Sequence, residues 1–245
     1  IPKVENTLNP FEDKKFEQSV ETSILNIETI IKAGQAEIED TSCKKIVFTS
    51  PTAANGKSFI SKSISEGLAG IGHKVLLIDA DLKRGDQHKL FNKETIELEF
   101  FKNISIENID ELKIKDNLYL LPRLKKIKNT FEHLYGNQFI DKVDEFTKLF
   151  DYIIIDTAPA LSVSDTGLLM STCDNNFLIV RHNVNRINEI KQTLQIIDQI
   201  GRSFDGIIYN DYQKPSGYYG YYDLYGDYSY RYYAERYLYD DYYTE

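Results

Sequence analysis

An apolar run at residues 46–49 leads into a loop of small residues that closes on Gly56-Lys57-Ser58. In such a loop the backbone N–H groups can point at a polyphosphate, the Lys57 ammonium can reach its outer phosphates, and the Ser58 hydroxyl can hold Mg²⁺. Pro51 stands where the strict phosphate-loop pattern has glycine, so a strand–turn–helix corner without a ligand is the alternative. The spacing predicts a phosphate cradle.

Carboxylates follow two further apolar runs. Asp79 and Asp81 come after the run 74–78, and Asp156 ends the run 152–155. If the backbone stays extended, Asp79 and Asp81 point the same way, beside a bound phosphate and metal. Carboxylates there can orient Mg²⁺ through water or accept a proton from an attacking hydroxyl. The alternative for each is a cap on the following turn or helix.

Tyrosine is concentrated at the end of the chain, mixed with glycine and acidic residues. A segment with so few aliphatic residues and so much charge does not pack as core, so we expect it to be exposed. Beside a polyphosphate site these phenols are candidate phosphoryl acceptors, and each phosphate would add about −1.5 to −2 charge. A self-associating adhesive segment is the alternative. The candidate acceptors are Tyr218, Tyr219, Tyr221, Tyr222, Tyr225, Tyr228, Tyr230, Tyr232, Tyr233, Tyr237, Tyr239, Tyr242 and Tyr243.

Apolar runs alternating with helical periodicity must position these groups. Alternation with short loops predicts an α/β fold with a doubly wound, mostly parallel sheet, whose strand ends bring the site residues to one edge. Asn210 ends the last predicted strand, where its amide can face a base ring or simply form a turn. The predicted strands are 46–49, 74–78, 118–121, 152–156, 176–180 and 205–209; the predicted helices are 16–33, 57–71, 131–149 and 185–200, with small helices near 90–91 and 98–101.

Composition narrows the class of protein. The chain has 245 residues and a net charge of −9, which argues against a nucleic-acid partner. Cys43 and Cys173 are far apart and lack metal-ligand spacing, which fits a reducing compartment and no disulfide framework. No apolar stretch approaches the ~20 residues that span a bilayer. We expect a soluble piece of a longer protein, with a linker at 1–15, a nucleotide-binding domain at 16–212 and a Tyr-rich tail at 213–245.

Taken together, these motifs resemble the cytoplasmic catalytic domain of the bacterial tyrosine kinases (BY-kinases) of capsule and exopolysaccharide export. Residues 50–58 match the first nucleotide motif of that family, 76–85 the second and 153–159 the third. The family tolerates proline in the first motif. Residues 88–91, Asp165 and the Tyr-rich end also fall where the family has them, and the resemblance covers 16–245. The implied fold is a P-loop NTPase of the deviant-Walker, MinD-like type.

The resemblance implies a role for each matching residue. Lys57 and the loop bind ATP, Ser58 and Asp156 hold Mg²⁺ with Asp79, and Asp79 and Asp81 serve metal placement and activation of the phenol. The catalytic candidates are Lys57, Asp79, Asp81 and Asp156. The nucleotide-binding candidates are Thr52, Ala54, Asn55, Gly56, Lys57, Ser58, Phe59 and Asn210.

The resemblance also implies partners. Family members autophosphorylate in trans within a ring-shaped homo-oligomer at the cytoplasmic face of the bacterial inner membrane, beside a membrane-spanning part of the export system. A tyrosine phosphatase is the expected counterpart. The stretch 16–27 contains no arginine, unlike the ring-forming motif of the family, so the interface and size of the oligomer stay open.

A different class of protein shares the three nucleotide motifs. Partitioning and cell-division ATPases act as switches rather than transferases and carry a second lysine near the start of the loop. Residues 50–55 have no lysine, and those ATPases lack a tyrosine tail. An ATPase switch of this type is the alternative function.

Overall fold

The computed structural model describes residues 22, 25–27, 29, 42–125, 137–162 and 165–212. The strands in these residues are β1 (Lys44–Thr49), β2 (Val75–Asp79), β3 (Lys113–Lys115), β4 (Leu118–Leu121), β5 (Tyr152–Asp156), β6 (Asn175–Arg181) and β7 (Gly206–Asn210). They form one sheet in the order β3-β4-β2-β5-β1-β6-β7. All neighbours are parallel except β3, which is antiparallel to β4.

The central strands are buried along their whole length, as their unbroken apolar sequences predict for a parallel sheet. Side chains alternate between the two faces, so that Ile153 and Ile155 enter one core cluster and Ile154 enters the other. A core on each face makes the sheet doubly wound, as predicted.

Helices cover both faces. They are α1 (Lys57–Gly70), α2 (Gln87–Leu90), α3 (Leu98–Asn103), a 3₁₀ segment (Ile106–Leu112), α4 (Asn137–Phe146), α5 (Asp165–Ser171) and α6 (Ile187–Gln199). α1 contributes Ile60, Ile64 and Leu68 to one core cluster, whereas α4 and α6 contribute to the other. Gly72, with φ 103°, ends the α1 turn where the sequence predicts a helix stop.

Several expectations differ from the structure or lie outside it. β3 was not predicted, because it is short and two of its three residues are lysine. Of the predicted helix 16–33 only residues 22, 25–27 and 29 are described, and they are helical. The predicted linker 1–15, residues 131–136 of the helix predicted over 131–149, and the tyrosines of the tail lie outside the described residues. Within the described part of the chain, no helix has the length and apolar character needed to cross a membrane.

Candidate nucleotide site

The loop between β1 and α1 has the backbone of a phosphate cradle. Ala54 and Gly56 both adopt left-handed conformations, with φ of 64° and 85°. Alternation of left-handed residues turns successive N–H groups toward one side, and the first-turn amides of α1 have no acceptor within the helix. Asn55 is fully buried and donates through Nδ2 to the carbonyl oxygen of Thr52 at 2.6 Å. The loop is therefore held in part by its own residues, with amides left for an anion.

Asp79 and Asp156 are register partners at the ends of neighbouring strands β2 and β5. They are 3% and 0% exposed, and the Oδ1 atom of each has no hydrogen-bond partner among the described residues. Burial, reinforced by the charge of Asp156, raises the pKa of Asp79 well above its usual value. Two buried carboxylates, each with an unused oxygen, form a site suited to a cation.

Lys57 and Ser58 bring α1 to these carboxylates. Burial raises the pKa of Asp156, while the Lys57 charge, the nearby Ser58 hydroxyl and the hydrogen bond from Gln87 oppose that rise. Lys57 is itself buried. The motif lysine, the motif hydroxyl and the strand-end carboxylates thus come together as the spacing predicts.

Asp81 occupies a different environment from Asp79. β2 ends at Asp79, so the strand on which the shared direction depended does not include Asp81. The Asp81 Oδ1 atom accepts hydrogen bonds from the backbone N–H groups of Lys83, at 3.2 Å, and Arg84, at 2.9 Å. Asp81 is nevertheless buried and close enough to raise the pKa of Asp79 by its charge. Its predicted part in activating a phenol stays a prediction.

A second group of polar residues is hydrogen-bonded to the loop on the side away from the two carboxylates. Arg181, at the end of β6, donates through Nη1 to the Ala54 carbonyl oxygen at 2.9 Å and through Nε to Asp211 at 3.0 Å. Asn185 Nδ2 donates to Thr52 Oγ1 at 3.0 Å. Sequence reasoning missed Arg181 and Asn185, because single polar residues after a strand carry no motif.

Asn210 also contacts this side of the loop. Its Nδ2 donates to the Asn55 carbonyl oxygen at 2.9 Å, and a Cβ added at Gly56 would overlap the Asn210 amide. The predicted contact with a base ring remains untested. Phe59, in the first turn of α1, is 38% exposed.

The residues present fit Mg²⁺. The cation prefers oxygen ligands and usually keeps several waters beside one or two carboxylates and phosphates. Ser58 Oγ, Asp79 and Asp156 supply such a donor set, with the unpartnered Oδ1 atoms available. No cluster of three or more His, Cys, Asp or Glu side chains suited to a metal occurs among the described residues. The rest of the coordination shell therefore falls to water and nucleotide phosphates.

Fold and site together define a P-loop nucleotide-binding domain of the MinD-like type. Residues 43–208 match the family model of the AAA domain (AAA_31). The chain therefore belongs to the AAA domain family, and within it to the bacterial tyrosine kinase catalytic domains that the sequence motifs resemble.

Two relatives illustrate the match. The tyrosine-protein kinase ptk of Acinetobacter johnsonii is 35% identical over 175 residues, which cover 70% of this chain and 24% of that protein. The tyrosine-protein kinase CpsD of Streptococcus pneumoniae is 29% identical over 190 residues, which cover 76% of this chain and 83% of that protein. The chain spans about a quarter of the length of the longer relatives that it matches.

Solved structures share the fold. The kinase domain of the Escherichia coli tyrosine kinase ETK superposes with a TM-score of 0.66 at 23% identity, covering 82% of this chain and 80% of that one. The septum site-determining protein MinD complexed with Mg-ADP, from Pyrococcus horikoshii, gives a TM-score of 0.54 at 18% identity, covering 71% and 72%. The doubly wound MinD-like fold predicted from the sequence is thereby confirmed.

Proposed function

We propose that this chain is the catalytic domain of an ATP-dependent protein-tyrosine autokinase. It transfers the γ-phosphoryl group of ATP to tyrosines between Tyr218 and Tyr243 of a second copy of the chain. The observation that carries the proposal is the buried pair Asp79 and Asp156, each with an unused oxygen, in which Asp156 lies near Lys57 and Ser58 of the phosphate loop. Membership of the AAA domain family and the kinase relatives support it.

Each residue has a role in this proposal. The loop amides and Lys57 bind and orient the phosphates, and Ser58, Asp79 and Asp156 hold the cation. Bound Mg²⁺ would neutralise charge on the phosphates. The bond from the γ-phosphorus to the ADP oxygen breaks as a bond to the tyrosine oxygen forms, and the phenol proton passes to a carboxylate, Asp81 or Asp79. Such transfer depends mainly on positioning and charge neutralisation.

The first test is ATP-dependent phosphate addition, measured by intact-mass spectrometry with Mg²⁺ present. We expect phosphate on the tail tyrosines of the wild-type chain and none on Lys57→Met. Lys191→Met, which alters an exposed lysine of α6, is the matched control and should label normally. ATP hydrolysis without any phosphate addition would reject the kinase proposal in favour of the switch ATPase.

Transfer between copies has its own test. Lys57→Met protein is mixed with active protein whose 13 tail tyrosines are replaced by phenylalanine. Phosphate on the Lys57→Met chain is expected. If that mixture stays unlabelled while the intact active chain labels itself, transfer in trans is wrong.

The cellular setting is a proposal carried over from the family resemblance. We propose that the domain acts at the cytoplasmic face of the inner membrane as a homo-oligomer, with a membrane-spanning part or partner of a polysaccharide export system. A tyrosine phosphatase would reverse the modification. Co-purification of the intact protein with membranes, and loss of exported polysaccharide in a Lys57→Met strain, are the expected results.

A further inference from the structure

Gln87, the first residue of α2, joins three of the elements that build the nucleotide site. Its side-chain Nε2 donates to the Ser58 carbonyl oxygen at 2.8 Å and to Asp156 Oδ2 at 2.9 Å. Its backbone N–H donates to Asp79 Oδ2 at 3.1 Å. One residue thus contacts the first turn of α1 and the ends of β2 and β5.

Gln87 contacts only one of the two oxygen atoms of each carboxylate. It binds the Oδ2 atom of each carboxylate, and the Oδ1 atom of each is left buried without a hydrogen-bond partner among the described residues. A carboxylate with one oxygen held by a donor is fixed in rotation about its terminal bond. The other oxygen then keeps a fixed direction, as it does in carboxylates that are hydrogen-bonded behind a metal.

The Gln87 side chain resembles the two carboxylates in its burial and in its unpaired oxygen atom. Its side chain is completely buried, and its Oε1 atom has no hydrogen-bond partner among the described residues. Two residues before it, Gly85 packs so closely on Asp79 that an added Cβ would overlap the carboxylate. An amide needed only for packing could be replaced by an apolar side chain that leaves no oxygen unpaired. The polar group is explained by what it does to the two carboxylates.

We propose that Gln87 is a positioning residue for divalent-cation binding: by holding Oδ2 of Asp79 and Asp156 it keeps both Oδ1 atoms free for the cation. The inference rests on the nucleotide–metal site of the proposed function and deepens it. Gln87 acts through the carboxylates and makes no contact with the phosphates in this role. It belongs to none of the motif positions that the sequence singles out.

The test measures binding of a fluorescent ADP analogue to the intact chain with and without Mg²⁺, beside thermal melting. Gln87→Met keeps the length of the side chain and the backbone N–H but loses the Nε2 donor. We expect the gain in ADP affinity on adding Mg²⁺ to shrink by about 10-fold, the usual cost of losing a residue that orients metal ligands. Affinity without Mg²⁺ should stay within about twofold, since Gln87 contacts the Ser58 carbonyl oxygen and none of the hydrogen-bond donors of the loop. Gln195→Met, at an exposed glutamine of α6, should behave as wild type.

A second variant separates positioning from direct ligation and covers the case in which Gln87→Met melts early. Gln87→Glu, as an ionised carboxylate, cannot donate to Asp156, so we expect it to lose the Mg²⁺ gain as Gln87→Met does. Tighter Mg²⁺ binding by Gln87→Glu would overturn the inference, since an added oxygen ligand would then be what matters. An unchanged Mg²⁺ gain in both variants, or an equal loss of affinity with and without Mg²⁺, would also overturn it.

The wild-type chain keeps failure of the two proposals distinguishable. If ADP binds the wild type equally well with and without Mg²⁺, the nucleotide–metal site is itself wrong. If the wild type shows the gain and both Gln87 variants retain it, only the role of Gln87 is wrong.

Discussion

The phosphate loop lies between two flanks of opposite character. On the flank formed by β2 and β5, Asp79 and Asp156 are buried with an unused oxygen each. On the flank formed by β6 and β7, Arg181, Asn185 and Asn210 donate to oxygen atoms of the loop itself, and Arg181 also pairs with Asp211. We call these the carboxylate flank and the brace flank. The carboxylate flank has buried oxygen atoms without a hydrogen-bond partner among the described residues. The polar side chains of the brace flank are hydrogen-bonded to the protein itself.

The two flanks affect two different free-energy costs of nucleotide and metal binding. The brace flank holds Thr52, Ala54 and Asn55 in place before any ligand arrives, which reduces the ordering cost of phosphate binding. The carboxylate flank stores unfavourable electrostatics that a cation relieves. Changes on the brace flank should therefore affect nucleotide binding with or without metal, whereas changes on the carboxylate flank should affect nucleotide binding only when metal is present.

The largest effect is expected from Asp156→Asn on the carboxylate flank. The amide keeps the shape of the side chain but removes the charge that attracts the cation, so the initial rate of ATP-dependent phosphate addition should fall about 1000-fold. Intact-mass time courses measure the rate, and melting should show a folded protein. A rate above a tenth of wild type would remove Asp156 from the metal site.

A smaller effect is expected from Arg181→Ala on the brace flank. The Ala54 carbonyl and the Asp211 carboxylate lose their donor, so ADP affinity should fall about 10-fold, or about 1.4 kcal/mol, equally with and without Mg²⁺. Arg202→Ala is the matched control, because Arg202 donates to the Ser171 carbonyl oxygen at 2.8 Å, away from the loop. A loss confined to the Mg²⁺-dependent part would show that the two flanks are not separate.

The smallest effect is a gain in stability from Asp79→Asn without metal. Because burial raises the folded-state pKa of Asp79, its ionisation at neutral pH costs folding free energy, and that cost fades as the pH falls through the raised pKa. Removing the charge should stabilise the metal-free protein by about 1 kcal/mol, a rise of ~2–4 °C in melting temperature. Asp198→Asn, at an exposed position on α6, should leave it unchanged. A lower melting temperature for Asp79→Asn would mean that the carboxylate is not strained.

The carboxylate flank and the brace flank also differ in how well the sequence predicts them. The carboxylate flank was predicted because its residues end apolar strands, and parallel strands bring their ends together whatever the details of register. The brace flank was largely missed, since contacts such as Asn185 to Thr52 join residues 133 apart in sequence and depend on side-chain direction. Asn210 was singled out, but for a base rather than for the Asn55 carbonyl that it contacts. Gln87 was missed for the same reason as Arg181, since burial of a lone amide leaves no pattern.

The order of strands also dictates when the site can exist during synthesis. β1, which carries the loop, is hydrogen-bonded between β5 and β6, and these strands begin only at Tyr152 and Asn175. Because the chain emerges from the ribosome amino end first, β1 has neither of its neighbouring strands until most of the domain has been synthesised. Contacts so distant in sequence form slowly, because the intervening chain must first be closed into a loop. Nucleotide capture is consequently a late event in the maturation of this domain, and a nascent chain acquires it only when the sheet is nearly complete.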